Sequence, residues 1–287
     1  MYTKYAYKAG STQANIVSDL VALLTGETNK ANLSASCDQS ETFIVSTVAA
    51  GWTLHDAAST TNGKVVKAAR YDNGAAYKFA EIVVSSATTI YMYVYETFDS
   101  GTHSGTNKTT NTYYQRIDLT NGGYIHVSAC SRTIALCAEC ATTVGDTNSS
   151  PTLLNELTKT AAFYTTSIPS FTLVNIGARL NGNNLAGYLP TATNNLGYVL
   201  PSSNSVGRIY YDTSPYTSKT YGTGVNTNLP VYPLRVQIDD VGEVGELYQT
   251  YILQPNIIPM RTTVTIASVD YIVLPAYNNY AILVKKE

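Results

Sequence analysis

Four cysteines, three histidines and one knot of carboxylates carry the most reactive side chains of this chain. Cys130, Cys137 and Cys140 fall close together, and Cys37 is remote. Cys137-Ala-Glu-Cys140 is a C-x-x-C, and four sulfurs are the right ligand type for a tetrahedral zinc. A redox C-x-x-C belongs at a helix start in a βαβ setting, whereas this one lies among strand-like runs. The setting favours free, buried or half-buried thiols; disulfides formed after release and a zinc site are the alternatives.

The histidines are scattered: His55 follows GWTL, His103 sits in GTHSGTN and His126 alternates within YIHVSA. A nucleophilic hydrolase needs a base oriented by an acid and aimed at Ser or Cys. Neither G-x-S-x-G nor H-E-x-x-H occurs, so the expectation is structural histidines in a non-enzymatic protein, with no catalytic residue and no cofactor. The cluster Asp239-Asp240-Val-Gly-Glu243-Val-Gly-Glu246 has carboxylates suited to calcium, but not the spacing of an EF-hand loop; it reads as a solvated turn or an interface patch. Gly222-Thr-Gly224 lacks the third glycine and the Lys-Ser/Thr of a phosphate loop.

Tyrosine is the unusual component, at 24 of 287 residues. In YMYVYETFDSGTHSGTN, residues 91–107, alternation puts Tyr91, Tyr93 and Tyr95 on one face of a strand. The chain then enters a polar stretch carrying His103 and Asn107. Residues 99–112 read as a contact loop too long for a tight hairpin, and long loops are kept for a purpose. Tyr210, Tyr211, Tyr216 and Tyr221 crowd a second Ser/Thr/Gly-rich segment. Such rows either pack against another subunit or stack on sugars; the convergent polar set of a sugar site is missing, so a protein interface is favoured over a glycan site.

Composition points the same way. Charged residues make up 13% of the chain and the net charge is −2, about half the usual charged share. A nearly neutral surface rich in Thr, Asn and Tyr tolerates association. It lacks the Lys/Arg footprint that nucleic acid requires. With 44% hydrophobic residues, disorder is excluded for most of the length. No apolar run reaches a membrane span, and MYTKYAYKAGSTQ has no signal-peptide core; a soluble cytoplasmic product is expected.

The elements that must position these residues are mostly strands. One amphipathic helix is predicted in STQANIVSDLVALLTGE, with Ile16, Val17, Leu20, Val21 and Leu24 on its apolar face, Ser11 or Thr12 as cap and Gly26 as stop. Strand patterns then run from Glu41 to about Ala141, beginning with ETFIVSTV and GWTLHD. They are punctuated by Asn62-Gly63, Asn73-Gly74 and Asn121-Gly122, dipeptides suited to type I′ hairpin turns. KVVKAARY-DNG-AAYKFAEIVV reads as one hairpin, and YYQRIDL-TNGG-YIHVSACSRTIALCAE as another. Pro151 after a capping Ser150 predicts a short helix at 151–162. The strings ending in Pro190, Pro201 and Pro275 read as strand ends. The division is a helix plus antiparallel β-domain at 1–145, a connecting segment at 146–164 and a second β-rich subdomain at 165–287. The fold class is mainly β, an antiparallel meander or sandwich with one N-terminal helix.

The stretch GWTLHDAAS…KVVKAARYDNGAAYKFAEIVV…YMYVYETFDSGTHSGTN resembles the β-rich modules of structural proteins from tailed bacteriophage virions. Such modules join an opening amphipathic helix to a G-W segment, a K/V-rich strand, an aromatic Y-E-x-(W/F) strand and a His/Gly/Thr/Asn loop. The match covers about residues 13–140. The resemblance implies a virion component, assembled in the host cytoplasm as symmetric copies and touching other virion proteins.

Overall fold

The computed structural model describes residues 1–41, 50–71, 74–106, 108, 114–140, 151–159, 171–175, 185–188, 207–210, 232–238, 242–253, 261–275 and 281–286. Helix α1 is Gln13–Leu24; the strands are β1 Tyr2–Tyr7, β2 Thr53–Thr60, β3 Gly63–Ala69, β4 Tyr77–Ser86, β5 Thr89–Tyr95, β6 Thr97–Asp99, β7 Ser104–Thr106, β8 Gln115–Arg116, β9 Gly123–Cys130 and β10 Thr133–Cys140. They continue with β11 Thr152–Lys159, β12 Phe171–Asn175, β13 Leu185–Tyr188, β14 Gly207–Tyr210, β15 Tyr232–Ile238, β16 Gly242–Leu253, β17 Thr263–Ile266, β18 Val269–Pro275 and β19 Ala281–Lys285.

The protein is mainly β, with antiparallel sheets and one N-terminal α-helix. The first sheet has twelve strands in the order β1-β9-β10-β11-β12-β13-β14-β15-β16-β19-β18-β17. The second has five, β2-β3-β4-β5-β8, and β6 and β7 form a separate two-stranded ribbon. The first sheet holds strands from both sides of residues 146–164. Among the described residues, no helix is long and apolar enough to cross a membrane.

Helix α1 forms as its sequence requires. Thr12 caps it by accepting from the Asn15 N–H at 3.3 Å, and Gly26, at φ 103°, ends it. Ile16, Val17, Leu20, Val21 and Leu24 are all buried, each worth roughly 1.5–3 kcal/mol of hydrophobic stabilisation. They join one core with Val66, Ile82, Met92 and Val94 of the second sheet and Tyr5, Ile125, Val127, Ile134 and Leu136 of the first. Asp19, buried on the same helix, is satisfied by the Tyr5 hydroxyl at 2.6 Å and by Ser34 N–H and Oγ at 2.7 and 2.8 Å.

The β3–β4 hairpin pairs Gly63 with Val83 through Ala69 with Tyr77, and β5 follows as the next neighbour. The other hairpin expectation is corrected. Across TNGG the chain changes sheets: β8 pairs with β5, and β9 pairs with β1 and β10. Asp118 organises the crossing by accepting from Thr120 N–H and Asn121 N–H at 3.0 Å each. Gly122 has φ 82° there, and a Cβ would lie 2.7 Å from the Tyr7 carbonyl oxygen. The β9–β10 hairpin turns instead at Ser131-Arg132, between the partners Cys130 and Thr133.

Asn62-Gly63 is likewise displaced from its expected role. Thr60 pairs with Gly63, so Thr61-Asn62 forms the turn. Gly63 lies in close approach there: a Cβ would stand 2.3 Å from Thr60 Oγ1, so that side chain would have to shift. Asn73 and the segment 42–49, which holds most of ETFIVSTV, lie outside the described residues.

Where a helix is expected at 151–162, residues 152–159 form a strand, and 160–162 lie outside the described residues. Residues 152–159 form β11, paired with β10, β12 and, at its end, β16. Residues 151–156 are buried on both faces. Leu154 enters the main core, while Asn155 holds Tyr248 N–H at 2.6 Å and Thr250 Oγ1 at 3.0 Å. Such long-range pairing outweighs a weak local helix preference, and Pro151, just ahead of the strand, costs no ladder bond.

Candidate functional site

The second sheet has two unlike faces because its side chains alternate. Val66, Ala80 and Val94 point into the main core. The register sets Asp56, Val65, Glu81 and Tyr93 in one row on the opposite face, and Lys67, Phe79 and Tyr95 in the next. Tyr91, Tyr93 and Tyr95 therefore do share a face. The Tyr91 and Tyr93 rings stack nearly parallel, 5.7 Å apart with an 8° tilt, and Tyr114 leans on Tyr91 at 5.8 Å. Lys108 lies 3.8 Å above the Tyr93 ring, a cation–π contact.

Tyr95 is buried, and its hydroxyl donates to Glu81 Oε2 at 2.6 Å. Burial, helped by that bond, raises the Tyr95 pKa. Glu81 is 3% exposed; it also accepts from Ser59 Oγ at 2.7 Å and faces Lys108 Nζ at 3.5 Å. The apolar run FAEIVV is interrupted by this one charge. A buried carboxylate must be partnered, and that interruption is the sequence signal for the cluster.

Residues 97–106, which open the expected contact loop at 99–112, form a short hairpin, and residues 107 and 109–113 lie outside the described residues. Strands β6 and β7 pair Thr97 with Thr106 and Asp99 with Ser104. Asp99 Oδ1 accepts Gly101 N–H at 2.8 Å, and His103 takes φ 52° to close the turn. The hairpin lies back on the sheet, with Phe98 against Tyr95 at 5.1 Å. Phe98 and Tyr95 join Val65 and Phe79 in a small second core. Only glycine fits at 105, since a Cβ would meet Tyr95 Cδ1 at 2.4 Å and Thr97 O at 2.6 Å. His103 is half exposed, but it is anchored: Nδ1 sits 2.7 Å from Oδ2 of buried Asp56. The acceptor is a carboxylate, so Nδ1 carries the proton. Asp56 Oδ1 also accepts Ala58 N–H at 2.9 Å. His55 Nε2 donates to the Phe98 carbonyl at 3.1 Å.

An Asp–His pair is two-thirds of a hydrolytic triad by residue type. Among the described residues, Ser59 Oγ bonds Glu81 and Thr102 Oγ1 bonds Ser104 Oγ at 2.7 Å. This arrangement holds the β6–β7 hairpin and Lys108 against an aromatic sheet face.

Asn107, Tyr211, Tyr216 and Tyr221 lie outside the described residues, and Tyr210 ends β14. Cys137 lies within β10, where burial pushes its thiol up to about 12; Cys140 ends the same strand, which lacks the turn that gathers a C-x-x-C pair. Cys130 Sγ contacts Thr133 Oγ1 at 3.4 Å, and Cys37 is buried beside Tyr7. Cys37, Cys130 and Cys137 are in no disulfide among the described residues. Among the described residues no group of three or more His, Cys, Asp or Glu is placed to hold a metal.

Two further charged networks went unread in the sequence. Glu156 of β11 meets Lys78 of β4 at 2.8 Å, Arg132 Nε at 3.0 Å and Tyr71 N–H at 3.0 Å. The Arg132 guanidinium is sandwiched between Tyr71 and Tyr248, at 4.0 and 3.9 Å. On β9, His126 lies between Tyr2 and Glu139: Nε2 donates to Glu139 Oε2 at 3.1 Å, so Nδ1 accepts from the Tyr2 hydroxyl at 2.9 Å. Burial lowers the His126 pKa, against the pull of Glu139. Comparison with protein-family models found none that matches the chain, and comparison with curated proteins found no match.

Proposed function

We propose that the protein is a non-enzymatic structural component of a tailed-phage particle, at a neck, tail or baseplate station more than as a capsid decoration. It works by symmetric association with its own copies and by contact with neighbouring virion proteins, after assembly in the host cytoplasm. The resemblance across residues 13–140 supports this reading. The observation that carries it is the state of the tyrosine face: Asp56, Glu81, His103 and Lys108 are each held by a partner from another element. The face is thus stiff and aromatic and has little free charge, which lowers the ordering cost of docking. Tyrosine supplies contact area at small entropic cost. The test is recovery of the chain in purified particles together with its native mass. Incorporation and a symmetric oligomer are expected; a chain absent from particles and monomeric at every concentration refutes the reading.

The near-parallel Tyr91–Tyr93 pair with Tyr114 beside it favours a second reading, a glycan-binding adhesin or receptor-binding module. Retention on a glycan array, lost in Tyr91→Ala and Tyr93→Ala, supports that reading instead.

A further inference from the structure

A sheet edge leaves backbone donors and acceptors unpaired, and proteins normally blunt such edges. Three of the edges here are blunted. Strand β1 is covered at its C-terminal end by residues 36–38, through Lys8 N–H to Ser36 O and Asp38 N–H to Ala6 O, 2.9 Å each, and carries Lys4 along its length. Strand β2 is broken by two register shifts. Strand β8 has two residues, and its Gln115 is buried against Thr152 and Ala138.

Strand β17 differs. It closes the twelve-stranded sheet, and its four residues, Thr-Val-Thr-Ile, include no charge, proline or glycine. All four are good strand formers. Its only partner strand among the described residues is β18. The Val273 N–H to Thr262 O bond fixes which residues face β18. Alternation from that point turns Val264 and Ile266 toward β18, and the N–H and C=O of Thr263 and Thr265 outward. Val264 and Ile266 are also only partly buried, packed against Tyr271, Val273, Ala281 and Leu283.

We propose that β17 is a self-association edge, pairing antiparallel with β17 of a second copy about a two-fold axis through Val264. This rests on the reading above that the chain associates with its own copies, and it names a contact surface for them apart from the tyrosine face. The register is self-complementary. Thr263 faces Thr265 of the partner copy and the reverse, so both outward N–H and both outward C=O groups of each strand are bonded. Val264 meets Val264 of the partner copy in a non-hydrogen-bonded pair. The half-covered sides of Val264 and Ile266 then close over one another as cross-strand apolar contacts. An isologous contact of this kind closes on itself.

The register makes a positional test. Directly opposed Cα atoms in such a pair stand about 4.5 Å apart, within the roughly 4.4–6.8 Å a disulfide spans. Val264→Cys is expected to oxidise to a covalent dimer at least tenfold more than the unsubstituted chain, whereas Thr265→Cys, offset from its own copy, stays near background. Thr265→Pro removes an N–H that β18 does not use, and is expected to raise the concentration for half-association at least tenfold with the circular dichroism unchanged. If Val264→Cys crosslinks no more than the unsubstituted chain, or no more than Thr265→Cys, while sedimentation shows oligomers, the edge is overturned and association through another surface stands. A chain that is monomeric throughout, with no crosslink, overturns both.

Discussion

Glu81 and Glu156 are both buried carboxylates met by a lysine, and they sit on opposite sides of the same sheet system. Glu156 is 1% exposed and its lysine, Lys78, is fully buried. Glu81 is equally enclosed, but Lys108 reaches it at 3.5 Å with 46% of its side chain in solvent. The first cluster joins β11 of one sheet to β4 of the other and has a full set of short bonds. The second ties Lys108 to a sheet face. The difference is solvent: a pair closed off from water becomes essential once formed, while a pair with one wet partner contributes little and can be rearranged. The molecule thus separates a joint that depends on a pair closed off from water from a contact face whose one wet pair adds little.

The comparison breaks most severely at Glu156. Glu156→Gln leaves Lys78 charged and buried beside a neutral amide, and is expected to cost about 3–5 kcal/mol, read as a lower denaturant midpoint. Gly105→Ala acts on the other side. The added methyl cannot fit between Tyr95 and Thr97 O, so the β6–β7 hairpin lifts from the sheet at about 1–3 kcal/mol. Faster hydrogen exchange confined to residues 97–106 and the strands beneath is the expected signature. His103→Asn keeps a residue that tolerates positive φ while removing the bond to Asp56; about 1 kcal/mol is expected, because water can enter where the half-exposed ring stood. Lys108→Ala is the mildest, at about 0.2–0.5 kcal/mol by thermal melt. That loss should shrink further in high salt. Equal costs for Glu156→Gln and Lys108→Ala would erase the distinction between the two regions.

The legible part of this molecule was local. The periodicity of Ile16, Val17, Leu20, Val21 and Leu24 specified α1, and the alternation at Tyr91, Tyr93 and Tyr95 specified β5 and its tyrosine face. What escaped depends on distant partners. Glu156 and Lys78 are 78 positions apart, and Asp56 and His103 are 47. The strand at 152–159 was hidden because its pairing partners, not its own sequence, decide it. Turn chemistry misled in both directions: Asn121-Gly122 marks a passage between sheets, while the turn between β17 and β18 is made by Ala267 and Ser268 at φ 48° and 67°. No glycine or asparagine advertises that hairpin.

If the molecule is built to associate, its solution mass must show it. Sedimentation velocity of the unsubstituted chain over a wide concentration range tests this most directly. A discrete symmetric oligomer that dissociates on dilution is predicted; a single monomeric boundary at every concentration would contradict it.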